Sequence, residues 1–263
     1  MISIIVCVKQ VIDPELPLSL FKIDPEAKRV IPPRGRSPVL NPFDENVLEA
    51  ALKIKDAEGA KITVISMGSH LDELILRETL AVGADDLIFL EDDVFEDVDS
   101  YSTAYALATA IKRIGEYDLI LCGRQAADTD AGQVGFAIAE ILGIPSIPLA
   151  RKIEASNGKL RVERVVSDGH EVIEASMPAL VTAGYEIGAI REASFEATMA
   201  ADEKEITVWN VQELGVDLSP LKRNNLLKLF IPAHEVSCQL IEGESPEEAG
   251  KNLALKLRDD QII

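Results

Sequence analysis

Short, nearly continuous apolar runs punctuate the first 150 residues: "ISIIVCV" (2–8), "KITVISM" (61–67), "DLIFL" (86–90) and "DLILCG" (118–123). Runs of that length without polar alternation predict parallel strands covered on both faces. Between them the apolar spacing becomes helical. "FDENVLEAALKIKDAEG" sets Val47, Leu48, Ala51, Leu52 and Ile54 along one stripe, with Asp44 as candidate N-cap and Gly59 just past the end. "SHLDELILRETLAVGAD" repeats the design with Leu71, Leu74, Ile75 and Leu80, and Gly83 as terminator. "DSYSTAYALATAIKRIG" offers Asp99 or Ser100 as cap, with Ala104, Leu107, Ala108, Ile111 and Ile114 apolar. Alternating units of this kind predict an α/β fold with a doubly wound, mainly parallel sheet. Ligands of such sheets sit at the carboxyl ends of the strands, where the strand order switches. The loops beginning at Lys9, Gly68 and Gly123 should therefore face one crevice.

After residue 150 the rhythm changes. "KLRVERVV" and "HEVIEAS" flank Ser167-Asp168-Gly169, which predicts a β-hairpin with Asp-Gly at the turn. "PALVTA" (178–183) predicts another buried strand, and beyond Gly188 the chain is more polar. "SPEEAGKNLALKL" predicts a closing helix with Ser245 as N-cap, Pro246 as first residue and Glu248 as reciprocal capping partner. The expected organisation is an α/β body over 1–190 and a C-terminal arm over 191–263 that packs on another chain.

Composition narrows the function classes. The chain has 263 residues, 47% hydrophobic, and a net charge of −19 from 45 acidic and 26 basic side chains. Such a surface repels polyphosphate backbones, so nucleic acid is not an expected partner. No apolar run approaches the roughly 20 residues that span a bilayer, so no membrane insertion is expected. The N-terminus lacks the basic region and cleavage site of a signal peptide, which makes the cytoplasm the expected location. Cys7, Cys122 and Cys238 are odd in number and far apart, which gives no disulfide framework and predicts buried thiols. His70, His170 and His234 have no metal-ligand spacing and read as surface or capping residues. Redox chemistry here would need a borrowed cofactor.

The main candidate site is "CGRQAADTDAGQVG" (122–135), which follows a strand and precedes a helix-like run. Gly123, Ala126, Ala127, Ala131, Gly132 and Gly135 keep bulk low, so backbone N–H groups can approach an anion. A helix begun near Ala131 would aim its positive end at the same place. Asp128 and Asp130 are wrong for phosphate contact; they could cap the helix or bind ribose hydroxyls or adenine donors. The loop alone is equally compatible with a plain βα turn. "NPFDENVLEAAL" (41–52) lies between the first two strands, near the crevice. Lys9 and Arg124, at strand exits, are surface residues or phosphate and flavin contacts. The acidic run "EDDVFEDVD" (91–99) lacks calcium-loop spacing and reads as a solvated loop. Neither GxxxxGK[ST] nor GxGxxG occurs, which excludes a P-loop enzyme and the usual dinucleotide fingerprint.

"VCVKQVID", "NPFDENVLEAAL", "ISMGS", "GADD", "CGRQAADTDAGQVG", "MPALVTA" and "ELGVD" occur in the order seen in the beta subunit of electron transfer flavoproteins, which this chain resembles over nearly its whole length. The resemblance implies an adenine-nucleotide alpha-hydrolase-like fold, related to universal stress proteins and ATP-pyrophosphatases. It also implies a heterodimer with an alpha subunit that carries the electron-shuttling FAD. In conventional members the beta subunit holds a structural AMP; in bifurcating members a second FAD accepts a hydride from NADH. Carried over by motif, the cofactor contacts are Cys7, Val8, Lys9, Asn41, Pro42, Phe43, Asp44, Met67, Gly123, Arg124, Gln125, Ala126, Ala127, Asp128, Thr129, Asp130, Ala131, Gly132, Gln133 and Val134. No side chain need serve as acid or base.

"GRQAADTDAGQVG" is similar to the loop of bifurcating relatives, and small residues at Thr129, Ala131 and Gly132 leave room for a diphosphate and ribityl chain. The resemblance therefore implies FAD rather than AMP, NAD(H) as electron donor or acceptor, ferredoxin as low-potential carrier, and a flavoprotein dehydrogenase. The segment that docks an acyl-CoA dehydrogenase in the family is poorly matched by "YEIGAIREASFEATMAADEKEI" (185–206), where only Arg191 and Phe195 echo the pattern. A dehydrogenase of another kind, for example one oxidising a 2-hydroxy acid such as lactate, fits that departure. The readings kept as alternatives are a conventional AMP-holding subunit with an acyl-CoA dehydrogenase, and a stand-alone stress-protein-like nucleotide-binding module. An ATP-pyrophosphatase lacks its SGGxDS loop here.

Overall fold

In the computed structural model, which describes residues 1–96, 98–217, 223–232 and 238–263, the four apolar runs become the middle of one sheet. They form β1 (Ile2–Val8), β2 (Ala60–Gly68), β3 (Asp86–Glu91) and β4 (Leu119–Gly123). Five later strands extend the sheet: β5 (Ser146–Ser156), β6 (Lys159–Val166), β7 (Gly169–Ser176), β8 (Ala179–Ala183) and β9 (Thr207–Trp209). Their order is β7-β6-β5-β8-β4-β1-β2-β3-β9. β6 is antiparallel to β5 and β7, and the remaining pairs are parallel. The fold is thus a doubly wound α/β sheet with a hairpin carried at one edge.

Both faces are covered, which is why the strands needed no polar alternation. Ile4, Val6, Ile62, Val64 and Leu121 pack against Val47, Leu48 and Leu52 of α1 (Pro42–Glu58) and Leu76 and Leu80 of α2 (Glu73–Ala81). Ile5, Ile65, Ile88 and Ile120 pack on the opposite side against Leu107 and Ile111 of α3 (Ser100–Ile114) and Ile138 of α4 (Val134–Leu142). Asp99 caps α3, accepting from Ser102 N at 2.9 Å, and Gly59 and Gly143 follow α1 and α4 at positive φ.

Four local expectations are corrected. The N-cap of α1 is Asn41, whose carbonyl accepts from the Asp44 and Glu45 amides, because Pro42 pre-sets the helical φ one turn earlier. Leu74 is 77% exposed; once Asp72 caps α2, the buried stripe runs through Ile75, Leu76, Thr79 and Leu80. In the hairpin Val166 pairs with Gly169, so the turn itself is Ser167-Asp168. Neither turn residue has positive φ, and Gly169, at φ 154°, absorbs the misfit. Finally, α4 starts at Val134, three residues after Ala131, because the chain first closes a turn in which the Thr129 and Asp130 amides donate to the Ala126 carbonyl, and its first helical bond runs from Ala137 N to the Gln133 carbonyl.

Beyond residue 190, α5 (Phe195–Asp202) is tied to α2 through Arg77, which donates to the Ala201 and Lys204 carbonyls. β9 then extends the sheet beside β3, and α6 (Val211–Leu214) opens with a capping box between Asn210 and Glu213. The last helix, α7 (Pro246–Asp259), begins as expected with Ser245 accepting from Glu248 N; the Glu248 carboxylate reaches Glu244 N, one residue before the cap. No residue of α7 is buried. Among the described residues no helix is long and apolar enough to cross a membrane.

Candidate functional site

From β1 the chain moves to β2 and β3 on one side, while β4 lies on the other. That reversal parts the loops leaving β1 and β4 and opens a cavity of about 450 Å³ between them. Lys9, Gly68 and Gly123 all line it, as the strand pattern predicts.

Asp44 holds the crevice together. It sits in the first turn of α1, 6% exposed, and its carboxylate accepts from Lys9 N at 2.8 Å and Gly123 N at 3.1 Å. One side chain therefore joins the exits of two strands distant in sequence. Burial pushes its pKa up to about 7, against hydrogen bonds from Asn41, Lys9 and Gly123 that favour the charged form. A Cβ on Gly123 would lie 2.3 Å from Asp44 Oδ1, so that position admits only glycine without rearrangement. Asn41 latches the next stretch: its Nδ2 donates to the Gln125 carbonyl at 3.0 Å and its Oδ1 accepts from Ala127 N at 3.1 Å. "NPFD" is thus the clip for the 123–135 loop.

The two aspartates of the loop are spent internally. Asp128 pairs with Lys9 Nζ at 2.6 Å across the crevice, and Asp130 accepts from Gln125 Nε2 at 2.7 Å. Neither caps α4, whose N-cap is Gln133 without a side-chain bond. Asp130 takes φ 50° and Gly132 φ 59°, turning the chain toward the helix. The amides from Ala131 to Phe136 have no protein acceptor among the described residues. They form a group of free donors at the positive end of α4, beside a wall of small side chains.

Of the motif-derived contacts, sixteen line the cavity: Cys7, Val8, Lys9, Asn41, Asp44, Met67, Gly123 to Ala126, Asp128, Thr129, and Ala131 to Val134. Pro42, Phe43, Ala127 and Asp130 stand behind the wall; Phe43 lies under the Arg124 guanidinium, 5.0 Å from its ring centroid. Tyr185, also beyond the lining, approaches Arg124 from 5.9 Å. Cys7 and Cys122 face each other in register on β1 and β4, both buried, whereas Cys238 is exposed. The Cys122 thiol is pushed well up by its hydrogen bond with Cys7 and by burial. His70 and His170 are exposed, and His234 lies outside the described residues.

The motif reading missed the apolar end of the cavity, built by Phe95, Val98 and Leu107 beside Met67. Phe95 and Val98 come from the acidic run read as solvated. Asp92 caps the turn holding Phe95, and Asp99 caps α3, while Asp97 lies outside the described residues. The signal was the pair of hydrophobes inside the acidic run. Arg191 is committed to Glu49 at 3.0 Å and Asp56 at 2.8 Å, which drive its pKa up. Phe195 is 80% exposed at the start of α5, and Met199, on the same helix, is exposed too.

A doubly wound α/β protein with an anion-receptive loop and an adjoining apolar cavity at its switch point is what fold and site define. Comparison with known proteins places it further. The family model described as an electron transfer flavoprotein domain matches residues 31–214. The electron transfer flavoprotein subunit beta of Thermoanaerobacterium thermosaccharolyticum is 38% identical, covering 99% of this chain and 100% of that protein. The caffeyl-CoA reductase-Etf complex subunit CarD of Acetobacterium woodii is 37% identical, with 99% of each chain covered. The acryloyl-CoA reductase electron transfer subunit gamma of Anaerotignum propionicum is 30% identical, again with 99% of each covered. The chain belongs to the electron transfer flavoprotein family, on its beta-subunit side.

Proposed function

We propose that this chain is the beta subunit of a bifurcating electron transfer flavoprotein, with FAD in the crevice between β1 and β4 and NAD(H) as its hydride partner. The observation that carries the reading is the run of acceptor-free amides at Ala131–Phe136, flanked by small residues and continuous with the Met67–Phe95–Val98–Leu107 end. An anionic diphosphate matches the first part and a flat, largely apolar ring system the second. The donor set fits such a cofactor, because Lys9 already neutralises Asp128 and Gln125 occupies Asp130, leaving neither carboxylate facing the phosphates unpaired. When bound, FAD supplies hydride acceptance and single-electron release. The chain's own task is to place it: Asn41 and Asp44 fix the loop, and the free amides hold negative charge. The kinship to CarD and to the acryloyl-CoA reductase electron transfer subunit is in keeping with this assignment.

In this reading the arm over 191–263, whose α5 and β9 first return to the body, packs with its later part on an electron transfer flavoprotein alpha subunit carrying its own FAD. Phe195, with the neighbouring exposed face of α5, meets a flavoprotein dehydrogenase, while Arg191 fixes the approach of that segment to α1. Ferredoxin is the low-potential carrier. The test is the nucleotide content of the purified heterodimer. Two FAD per heterodimer, one of them bleached by NADH, is the expected result. One FAD and one AMP overturns the bifurcating assignment, and a stable monomer without a flavoprotein partner overturns the heterodimer.

A further inference from the structure

Between β1 and α1 the chain makes an excursion that the crevice does not use. Its root is clamped where Gln10–Val11 pairs with Val39–Leu40, so it leaves beside Lys9 and returns beside Asn41, both on the cavity wall. Its outer part is a small ribbon in which Lys22–Asp24 pairs antiparallel with Arg29–Ile31. In a chain with 45 acidic and 26 basic side chains, residues 22–36 reverse the balance with Lys22, Lys28, Arg29, Arg34 and Arg36 against Asp24 and Glu26. All five cations are exposed. Asp24 is turned inward, accepting from the Glu26 and Ala27 amides at the ribbon's tip.

Few of these cations have an internal purpose. Lys28 reaches the Leu226 carbonyl, and Arg29 stands 3.5 Å from Glu96 in a solvent-exposed pair, worth little to stability. Among the described residues the side chains of Lys22, Arg34 and Arg36 make no hydrogen bond or ion pair, although Lys22 pairs through its backbone with Ile31 and Arg36 N donates to the Pro33 carbonyl. Leu20 and Ile31 add exposed apolar surface at 41% and 43%. Mixed arginine and apolar surface is the composition of a protein interface rather than of a solvated loop. None of the five cations lines the crevice, and they are spread over the ribbon and its return, which suits an extended carboxylate-rich surface better than a single phosphate. A nucleic acid or an anionic bilayer would extend beyond the ribbon onto the acidic remainder of the chain, which repels it, whereas a small protein can be confined to the ribbon.

We propose that the ribbon over residues 22–36 is the docking surface for a small, acidic electron-carrier protein, which it steers to the mouth of the crevice. The inference rests on the redox reading of that crevice and adds the place and chemistry of carrier recognition. Glu96 joins the two: it lines the cavity and pairs with Arg29 of the ribbon. Opposite charges of this kind act mainly on the association rate and are screened beyond a Debye length of about 8 Å at physiological salt.

The test uses the intact heterodimer, a [4Fe–4S] ferredoxin as probe, and the variants Arg34→Glu/Arg36→Glu and Arg34→Gln/Arg36→Gln. Association is followed by stopped flow over a range of ionic strength, with Lys159→Glu on the distant hairpin as control. Charge reversal is expected to slow association on the order of tenfold at low salt and to flatten its salt dependence, with neutralisation intermediate and the control unchanged. Unchanged association in the reversed variant overturns the proposal. So does loss of the heterodimer on reversal, which would put the ribbon on the subunit interface. So does wild-type binding to phosphatidylserine vesicles without binding to ferredoxin. Flavin content and bleaching by NADH are measured on the same samples. A heterodimer that holds AMP and ignores NADH defeats the redox reading of the crevice, whereas salt-dependent docking is read independently.

Discussion

Protonation of Asp44 is coupled to the shape of the crevice, because its two oxygens hold the amides of Lys9 and Gly123. Its folded pKa of about 7 lies above the ordinary value of 3.8 that applies in the unfolded chain. Between about pH 4 and pH 7 the native state therefore binds more protons than the unfolded state, and stability falls as pH rises through that window. Glu45 and Glu78, raised chiefly by burial, act in the same direction. Asp44→Asn should flatten the slope of unfolding free energy against pH measured by urea melts from pH 4 to 7. A variant that keeps the wild-type slope would clear Asp44 as its source. This role was not legible in "NPFD" alone. Asp44 looked like a cap because it is an acid at a helix start, and only the sheet order brings the two amides it binds within reach. Asn41, like Asp44, was placed in the site by motif, and its contacts with the loop supply the physical reason.

At the scale of elements, Asp99 joins two parts of the chain. It caps α3 through Ser102 N and also accepts from the Asn224 amide at 2.8 Å, so the returning segment is pinned to the helix start. Partial burial disfavours its charge, but the Ser102, Asn224 and Arg223 amides outweigh burial and hold its pKa down to about 2. With the folded value below the unfolded one, its contribution is present above the ordinary carboxylate range and is lost as pH falls from about 4 to about 2. Asp99→Ala should cost about 1 kcal/mol through the lost cap. It should also speed amide hydrogen exchange at residues 223 and 224; unchanged exchange there would mean that the pin is not formed. The four central strands and three of the helices were readable because burial on both faces writes itself as uninterrupted apolar runs. β5 was not: Pro148 interrupts it, Leu149 takes φ 56°, and its length serves two neighbours, β8 and β6, in succession. β9, three residues on an edge beside β3, has too short a pattern to be read.

The whole molecule divides its apolar surface unevenly. The sheet and its helices bury theirs, whereas Leu240, Ile262 and Ile263 are exposed and no residue of α7 is buried. Removing residues 240–263 should leave the unfolding of the body unchanged and abolish stable pairing with the alpha subunit, as read by size-exclusion chromatography of the co-expressed chains. Retained pairing would show that the arm is dispensable for assembly. The polar composition after Gly188 revealed a segment that ends away from the body, but not that α5 and β9 first return to it, since such contacts are made by a few residues at an edge. The placement of β1 between β2 and β4 has a consequence for biosynthesis. β1 leaves the ribosome before its neighbours in the sheet; it has one partner within reach by residue 68, but its other partner is complete only at residue 123 and the amide-lined wall only once residue 136 has emerged. The arm follows later in the chain. A nascent chain can thus complete its nucleotide cradle while the segment that seeks a second subunit is still being made, so cofactor capture can come before pairing in the order of synthesis itself.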